Sequence, residues 1–360
     1  MDMILDKIRG SLFGGAVGDA LGYPVEFMSR NEILRAYGEN GITAYDKDKK
    51  SGLALISDDT QMTLFTVYGV IRAALCTKAP HEEVSMAYLD WLTTQTISYA
   101  EAKKYGSATS WLLRLPELFS LRAPGNTCLN SLRYARRRGY PLDVMETRMN
   151  TSKGCGGVMR VAPLALLKSD TDIKKLDYEG AVLAALTHGH ALGFMPAAVV
   201  THILRRIVYS EKEMTLKEIV IEARDTVAKV FSGYYYLFDL IAIINKAIAL
   251  SENDKSDAEN IRALGEGWVA EETLAIALYC SLRYQNDFTK AVTVAVNHDG
   301  DSDSTGAVTG NILGALVGYE AIKDWTDGLE LADVLMEIAD DLYVVGTGKT
   351  DAEVEGKYAR

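Results

Sequence analysis

Asp299, Asp301 and Asp303 stand at alternate positions in the stretch DGDSDSTGAVTG, and Ser304 follows the last of them. Carboxylates this close repel one another unless something positive lies among them. A second cluster, Ser57-Asp58-Asp59-Thr60, precedes another apolar segment far upstream. Two groups of hydroxyls and carboxylates, each opening a predicted helix and free of cysteine, suit hard cations that take oxygen ligands. An EF-hand loop does not fit. Counted from Asp299, its sixth position is Ser304 rather than glycine and its twelfth is Gly310 rather than glutamate. Asp58, Asp59, Asp301 and Asp303 together would balance two Mg²⁺ or Mn²⁺ ions, and such ions acidify water near neutral pH. Taken one at a time, the clusters also read as ordinary helix caps or solvated acidic turns.

The clusters need elements that bring them together. Glycine recurs every fourth residue after the second cluster, at Gly306, Gly310, Gly314 and Gly318, and again near the start, at Gly10, Gly14, Gly18 and Gly22. On a helix this spacing bares one face and lets another backbone approach. Each interior glycine costs about 1 kcal/mol relative to alanine, so the stripes predict that these two helices pack together. Helical periodicity runs nearly throughout, with segments near 63–77, 81–95, 178–192, 216–231, 269–284 and 306–321. Alternating strand patterns are nearly absent. The expectation is an all-α chain of about a dozen or more helices, in one domain over 1–347 with a polar tail over 348–360 that frays.

Composition narrows the function. The 360 residues are 48% hydrophobic and 24% charged, with a formal net charge of −11. That balance suits a globular chain and argues against neutralising a nucleic-acid backbone. The four cysteines lack metal-ligand spacing and read as reduced. The Ser11–Gly18 run ends at Asp19 with no cleavage site, and no uninterrupted apolar run reaches the roughly 18 residues of a membrane span. A cytoplasmic protein without a membrane or nucleic-acid partner is expected.

The motifs GGAVGDALGYPVEF (14–27), SDDTQMT (57–63), RAPGNT (122–127), SKGCGGVMR (152–160), TH (187–188) and NHDGDSDSTGAVTG (297–310) together resemble the ADP-ribosylglycohydrolase family, which includes dinitrogenase-reductase-activating glycohydrolases and ADP-ribosyl-acceptor hydrolases. The resemblance implies a single compact orthogonal helical bundle, a binuclear magnesium or manganese centre, and hydrolysis of the bond joining ADP-ribose to an acceptor. The acceptor would be a modified protein side chain or a small-molecule conjugate. It implies metal ligation by Ser57, Asp58, Asp59, Asp301, Asp303 and Ser304, with Asp303 also counted as catalytic. Ser304 stands where the family often has threonine, which keeps the hydroxyl. Asp299 is expected to cap or support, and Asp19 to buttress the ligands. Glu26 becomes the candidate acid near the scissile bond, as general base or gate, in place of an ordinary exposed glutamate.

The loop SKGCGGVMR is the diphosphate candidate. Gly154, Gly156 and Gly157 allow close backbone approach and successive N–H groups can face an anion. Ser152 could add a hydroxyl, and Cys155 stands where some members carry asparagine. His188 either approaches the ligand or is a satisfied core histidine, and with His190 it makes a poor metal pair if both lie on a helix. Tyr234, Tyr235 and Tyr236 are expected in the core, with an adenine platform as the alternative. GTGKT (346–350) lacks the first P-loop glycine, since Tyr343 occupies that place. Two rival functions stay open: a non-catalytic ADP-ribose or nucleotide binder of the same fold, and a two-metal phosphoesterase.

Overall fold

The two glycine-striped segments form helices Met3–Gly22 and Ser302–Val317, and they lie against each other. Gly10 faces Gly314, Gly14 faces Gly310 and Gly18 faces Gly306, so the pair is antiparallel. A Cβ on any of these six would overlap backbone atoms of the opposite helix. Across the same contact Ser11 Oγ donates to Asn311 O at 3.0 Å, and Asn311 Nδ2 returns to Ser11 O at 2.8 Å. Side-chain-free faces thus exchange lost side-chain contacts for backbone packing at the centre of the molecule. The antiparallel arrangement places the end of the first helix beside the start of the other.

The computed structural model describes residues 2–105, 110–141 and 143–359. Among these it contains nineteen α-helices and no strand, only two isolated bridges, Ala54 with Leu329 and Gly154 with Val269. The fold is all-α. Helices beyond the dozen are mostly short turns such as Val144–Thr147 and Tyr319–Ile322, too brief to leave a periodic signal.

Helix Asp58–Leu75 packs on Pro80–Thr94, and Ile173–Ala185 on Ala191–Tyr209. The helix expected over 178–192 is therefore two helices. Their break at 186–190 is held by Asn150, whose Nδ2 donates to Thr187 O at 2.7 Å and whose Oδ1 accepts from Gly189 N at 3.1 Å. Ala191–Tyr209 is long and apolar enough to cross a membrane, but it lies almost wholly buried among other helices. The tail does not fray over its described part. Ala352–Tyr358 is helical, Tyr358 is buried, and its hydroxyl donates to Asp341 Oδ2 at 2.8 Å. Arg360 lies outside the described residues.

Candidate active site

The helix-pair geometry makes the site. Because Gly22 lies against Ser302, the chain leaving the first helix passes directly over the start of the helix that carries Asp303. A short turn, Tyr23–Val25, follows and delivers Glu26. Asp19, one turn earlier and fully buried, accepts from Ser57 N at 3.0 Å, from Thr60 N at 3.1 Å and from the Thr60 hydroxyl. One aspartate thereby pins the start of helix Asp58–Leu75 to the glycine pair. A third wall comes from the loop before Asn126–Arg138, where Arg122 O accepts from Asp58 N at 3.0 Å and Gly125 N donates to Asp58 Oδ2 at 3.4 Å.

These elements enclose a cavity of about 220 Å³ whose wall includes Glu26, Asp58, Asp59, Asp301, Asp303 and Ser304. The two acidic clusters, distant in sequence, meet there. All four aspartates are buried. Desolvation, reinforced by the Asp303 charge, pushes Asp58 and Asp59 well above the usual carboxylate range, and desolvation reinforced by the Asp301 charge does the same to Asp303. Burial also raises Asp301. Glu26 is 7% exposed, not the exposed glutamate of the alternative reading, and burial together with Asp303 lifts it to about 10. Such crowding of carboxylates is unfavourable unless protons or cations neutralise it.

Two atoms test whether a cation suits this donor set. Asp59 Oδ2 and Glu26 Oε2 are buried without any hydrogen-bond partner, although buried polar atoms are normally satisfied. The donors are all hard oxygen, as Mg²⁺ and Mn²⁺ prefer. Among the described residues no three His, Cys, Asp or Glu side chains are already arranged as a ligand set, so a cation would be held only after some of these side chains move. Asp301 would have to release Cys155, whose Sγ donates to its Oδ2 at 2.8 Å. The residues fit the group in chemistry and in their unsatisfied atoms.

Beside the carboxylates lies the glycine loop. Gly154, Cys155 and Gly156 line the cavity with His188. Gly157 sits behind them against Ala184 and Gly193, and Ser152 is half-buried with its Oγ 3.1 Å from Thr127 Oγ1. Ser57 is also off the cavity wall, capping its helix by accepting from Asp59 N at 3.2 Å. Cys155 gives its amide to Trp268 O at 3.3 Å and Lys153 O accepts from Ala270 N at 2.8 Å, so the loop is pinned along 268–270.

Arg160, quoted in the loop motif but given no role there, organises this wall. It is buried, lies over the Tyr88 ring at 4.6 Å, and donates to Gly156 O and, at 2.6 Å, to Thr187 Oγ1. With its oxygen accepting from Arg160, the Thr187 hydroxyl is free to donate to His188 Nδ1, 2.8 Å away. Donation by Thr187 to Nδ1 would leave the proton on Nε2. Burial and the Arg160 charge pull His188 down to about 3, so it is neutral and offers an N–H beside Gly154 and Gly156.

Other expectations change. His188 and His190 do not share a helix. They lie in the break, and His190 caps the next helix by accepting from Leu192 N at 3.1 Å. Tyr234 packs on Phe231 and Phe194, but Tyr235 and Tyr236 are exposed rather than buried, and the Tyr236 ring lies 4.6 Å from His190. Tyr236 holds a left-handed backbone, φ 67°, at the start of helix Leu237–Ser251. Asp299 caps: its Oδ1 accepts from Arg30 N at 2.9 Å. Asn126, inside the quoted RAPGNT motif but given no role there, and Trp268, which no motif included, also line the cavity.

The family model described as ADP-ribosylglycohydrolase matches residues 1–352. This chain belongs to the ADP-ribosylglycohydrolase family. It is an enzyme of the glycosyl-hydrolase type. Among its relatives, the ADP-ribosylhydrolase ARH3 of Danio rerio is 24% identical, with 95% of this chain and 92% of the relative covered. The ADP-ribosyl-[dinitrogen reductase] glycohydrolase of Rhodospirillum rubrum is 23% identical, with 91% of each covered. A solved structure titled ADP-ribosylglycohydrolase-related protein complex superposes with a TM-score of 0.66 at 24% identity, covering 96% of this chain and all of that one. That likeness supports the shared fold of this ADP-ribosylglycohydrolase.

Proposed function

We propose that this ADP-ribosylglycohydrolase is a two-cation hydrolase that cleaves the glycosidic bond between ADP-ribose and a protein side chain. The observation that carries the reading is the meeting of Asp58, Asp59, Asp301 and Asp303 in one cavity with Glu26, two of whose buried oxygens, Asp59 Oδ2 and Glu26 Oε2, lack partners. Ser57, Asp58, Asp59, Asp301, Asp303 and Ser304 would hold two Mg²⁺ or Mn²⁺ ions. When bound, such ions supply charge neutralisation and Lewis acidity toward the distal ribose and water.

The chain's own groups do the rest. The Gly156 backbone and the neutral His188 Nε2–H face the diphosphate, so this acidic protein needs no basic surface to bind it. Arg160 fixes that donor through Thr187. Glu26, relieved of its neighbours' charge, is held up only by its burial, and in its ionised form it can take a proton from water at the anomeric carbon. Positive charge developing there is stabilised by the surrounding carboxylates. A cytoplasmic setting belongs to the same reading, since Cys76, Cys128, Cys155 and Cys280 are all free thiols.

Product analysis on ADP-ribosylated substrates tests this. Intact ADP-ribose, released only with cation present, is expected. AMP or phosphate would mean attack at phosphorus, and no turnover on any linkage would leave a binding protein.

A further inference from the structure

A second cavity, of about 450 Å³, adjoins the carboxylate-lined one, and Trp268 belongs to the walls of both. Phe27 stacks on Trp268 with ring centroids 5.9 Å apart, and the two residues are 75% and 39% exposed. Aromatic surface left open beside a reaction centre gains by burial against a ligand, and tryptophan is prominent among residues that dominate binding energy. The location is specific. Phe27 directly follows Glu26. On the wall of the second cavity Glu266 O accepts from Asp301 N at 2.8 Å. Through Glu266 the second cavity therefore lies one hydrogen bond from Asp301, while Gly156 and His188 line the first cavity alone.

Its polar groups are of both signs; Glu272, whose Oε2 accepts from Glu266 N at 3.0 Å, and His298, whose Nε2 lies 2.9 Å from Thr305 Oγ1, are engaged, and others are free. The Arg30 and Arg262 side chains make no hydrogen bond or ion pair among the described residues, and neither does the Glu266 carboxylate. Asp299 uses only Oδ1, for Arg30 N. Free cations, free carboxylates and two open rings side by side match a polypeptide, which presents all three kinds of partner. A nucleic-acid acceptor presents uniform negative charge and would meet a chain of net charge −11.

We propose that this second cavity is the acceptor subsite and that it reads the polypeptide flanking the modified side chain. The proposal rests on the glycohydrolase reading above and adds that the residues flanking the modified side chain are bound, so a free amino acid carrying the same linkage is the poorer substrate. ADP-ribose lies across the first cavity, the scissile bond falls beside Glu26, and the chain on the leaving side passes Phe27 and Trp268 toward Arg30 and Arg262.

Steady-state kinetics on matched pairs tests it, using an ADP-ribosylated peptide and the free amino acid carrying the same linkage, arginine-linked and serine-linked pairs alike. The expected result is a kcat/KM at least about tenfold higher for the peptide of the pair that is turned over. Arg262→Glu, a change at an exposed position, should lower the peptide value about tenfold through KM and leave the amino-acid value within about twofold. Equal turnover of peptide and amino acid, or equal loss for both in the variant, would overturn the subsite while leaving the glycohydrolase reading intact. Absence of turnover on every conjugate would overturn both.

Discussion

Gly14 and Gly310 sit so close that a Cβ on either would strike the other's carbonyl oxygen. This contact lies midway along the helix pair whose ends present Glu26 and Asp303, so packing and chemistry share one support. Gly310→Ala forces the helices apart or bends one of them. Overpacking of this kind costs about 1–3 kcal/mol. The expected outcome is a thermal midpoint lowered by several degrees, with divalent-cation affinity reduced in the folded fraction, measured by calorimetry.

Asp19 ties the second acidic cluster to the first helix through Ser57 and Thr60. Asp19→Ala leaves those amides without an acceptor, and each unmet buried group costs about 1–3 kcal/mol. Stability should fall by that order or more in denaturant titration. Asp19→Asn, which keeps an acceptor oxygen, should recover part of the loss.

Burial and Asp303 lift Asp19 to about 7, while in the unfolded chain it titrates near ~3.9. A carboxyl whose folded value is raised contributes full stability below its unfolded value and loses it as pH climbs through the folded one. Asp58, Asp59, Asp301 and Asp303 are raised in the same direction. The cation-free protein should therefore melt at a lower temperature at pH 8 than at pH 5. Adding Mn²⁺ should raise the midpoint more at pH 8, where the carboxylates are free to bind it. A midpoint rising steadily from pH 5 to pH 8 without cation would contradict this.

Glu26→Gln removes the acid without emptying its place. Loss of a positioned proton acceptor costs roughly 10²–10⁴-fold in kcat. Because wild-type Glu26 is a buried carboxyl with an unpartnered oxygen, the variant should keep or gain cation-free stability at pH 8. Activity within a factor of about three of wild type would rule out a proton-transfer role.

Much of this architecture was legible before any coordinates. The glycine stripes foretold the central helix pair because a bare face has few other uses. Fold class followed from periodicity. The break at 186–190 was not legible, since it depends on Asn150, a residue far away in sequence. Exposure of Tyr235 and Tyr236 was missed, and a left-handed backbone at Tyr236 has no compositional signal outside glycine and asparagine. Trp268 enters the site through long-range pairings with no local pattern, the 153–155 contact with 268–270 and the Glu266–Asp301 hydrogen bond. Asp58 and Asp303, by contrast, announced themselves by chemistry, since clustered carboxylates need a reason to sit together.

Cation binding at equilibrium addresses the central claim most directly. Isothermal titration of the purified protein with Mn²⁺ should give two ions per chain, and Asp58→Ala and Asp303→Ala should each abolish or severely weaken binding. If the protein bound no Mn²⁺ or Mg²⁺, or if either substitution left the isotherm unchanged, the two acidic helix starts would not form one centre.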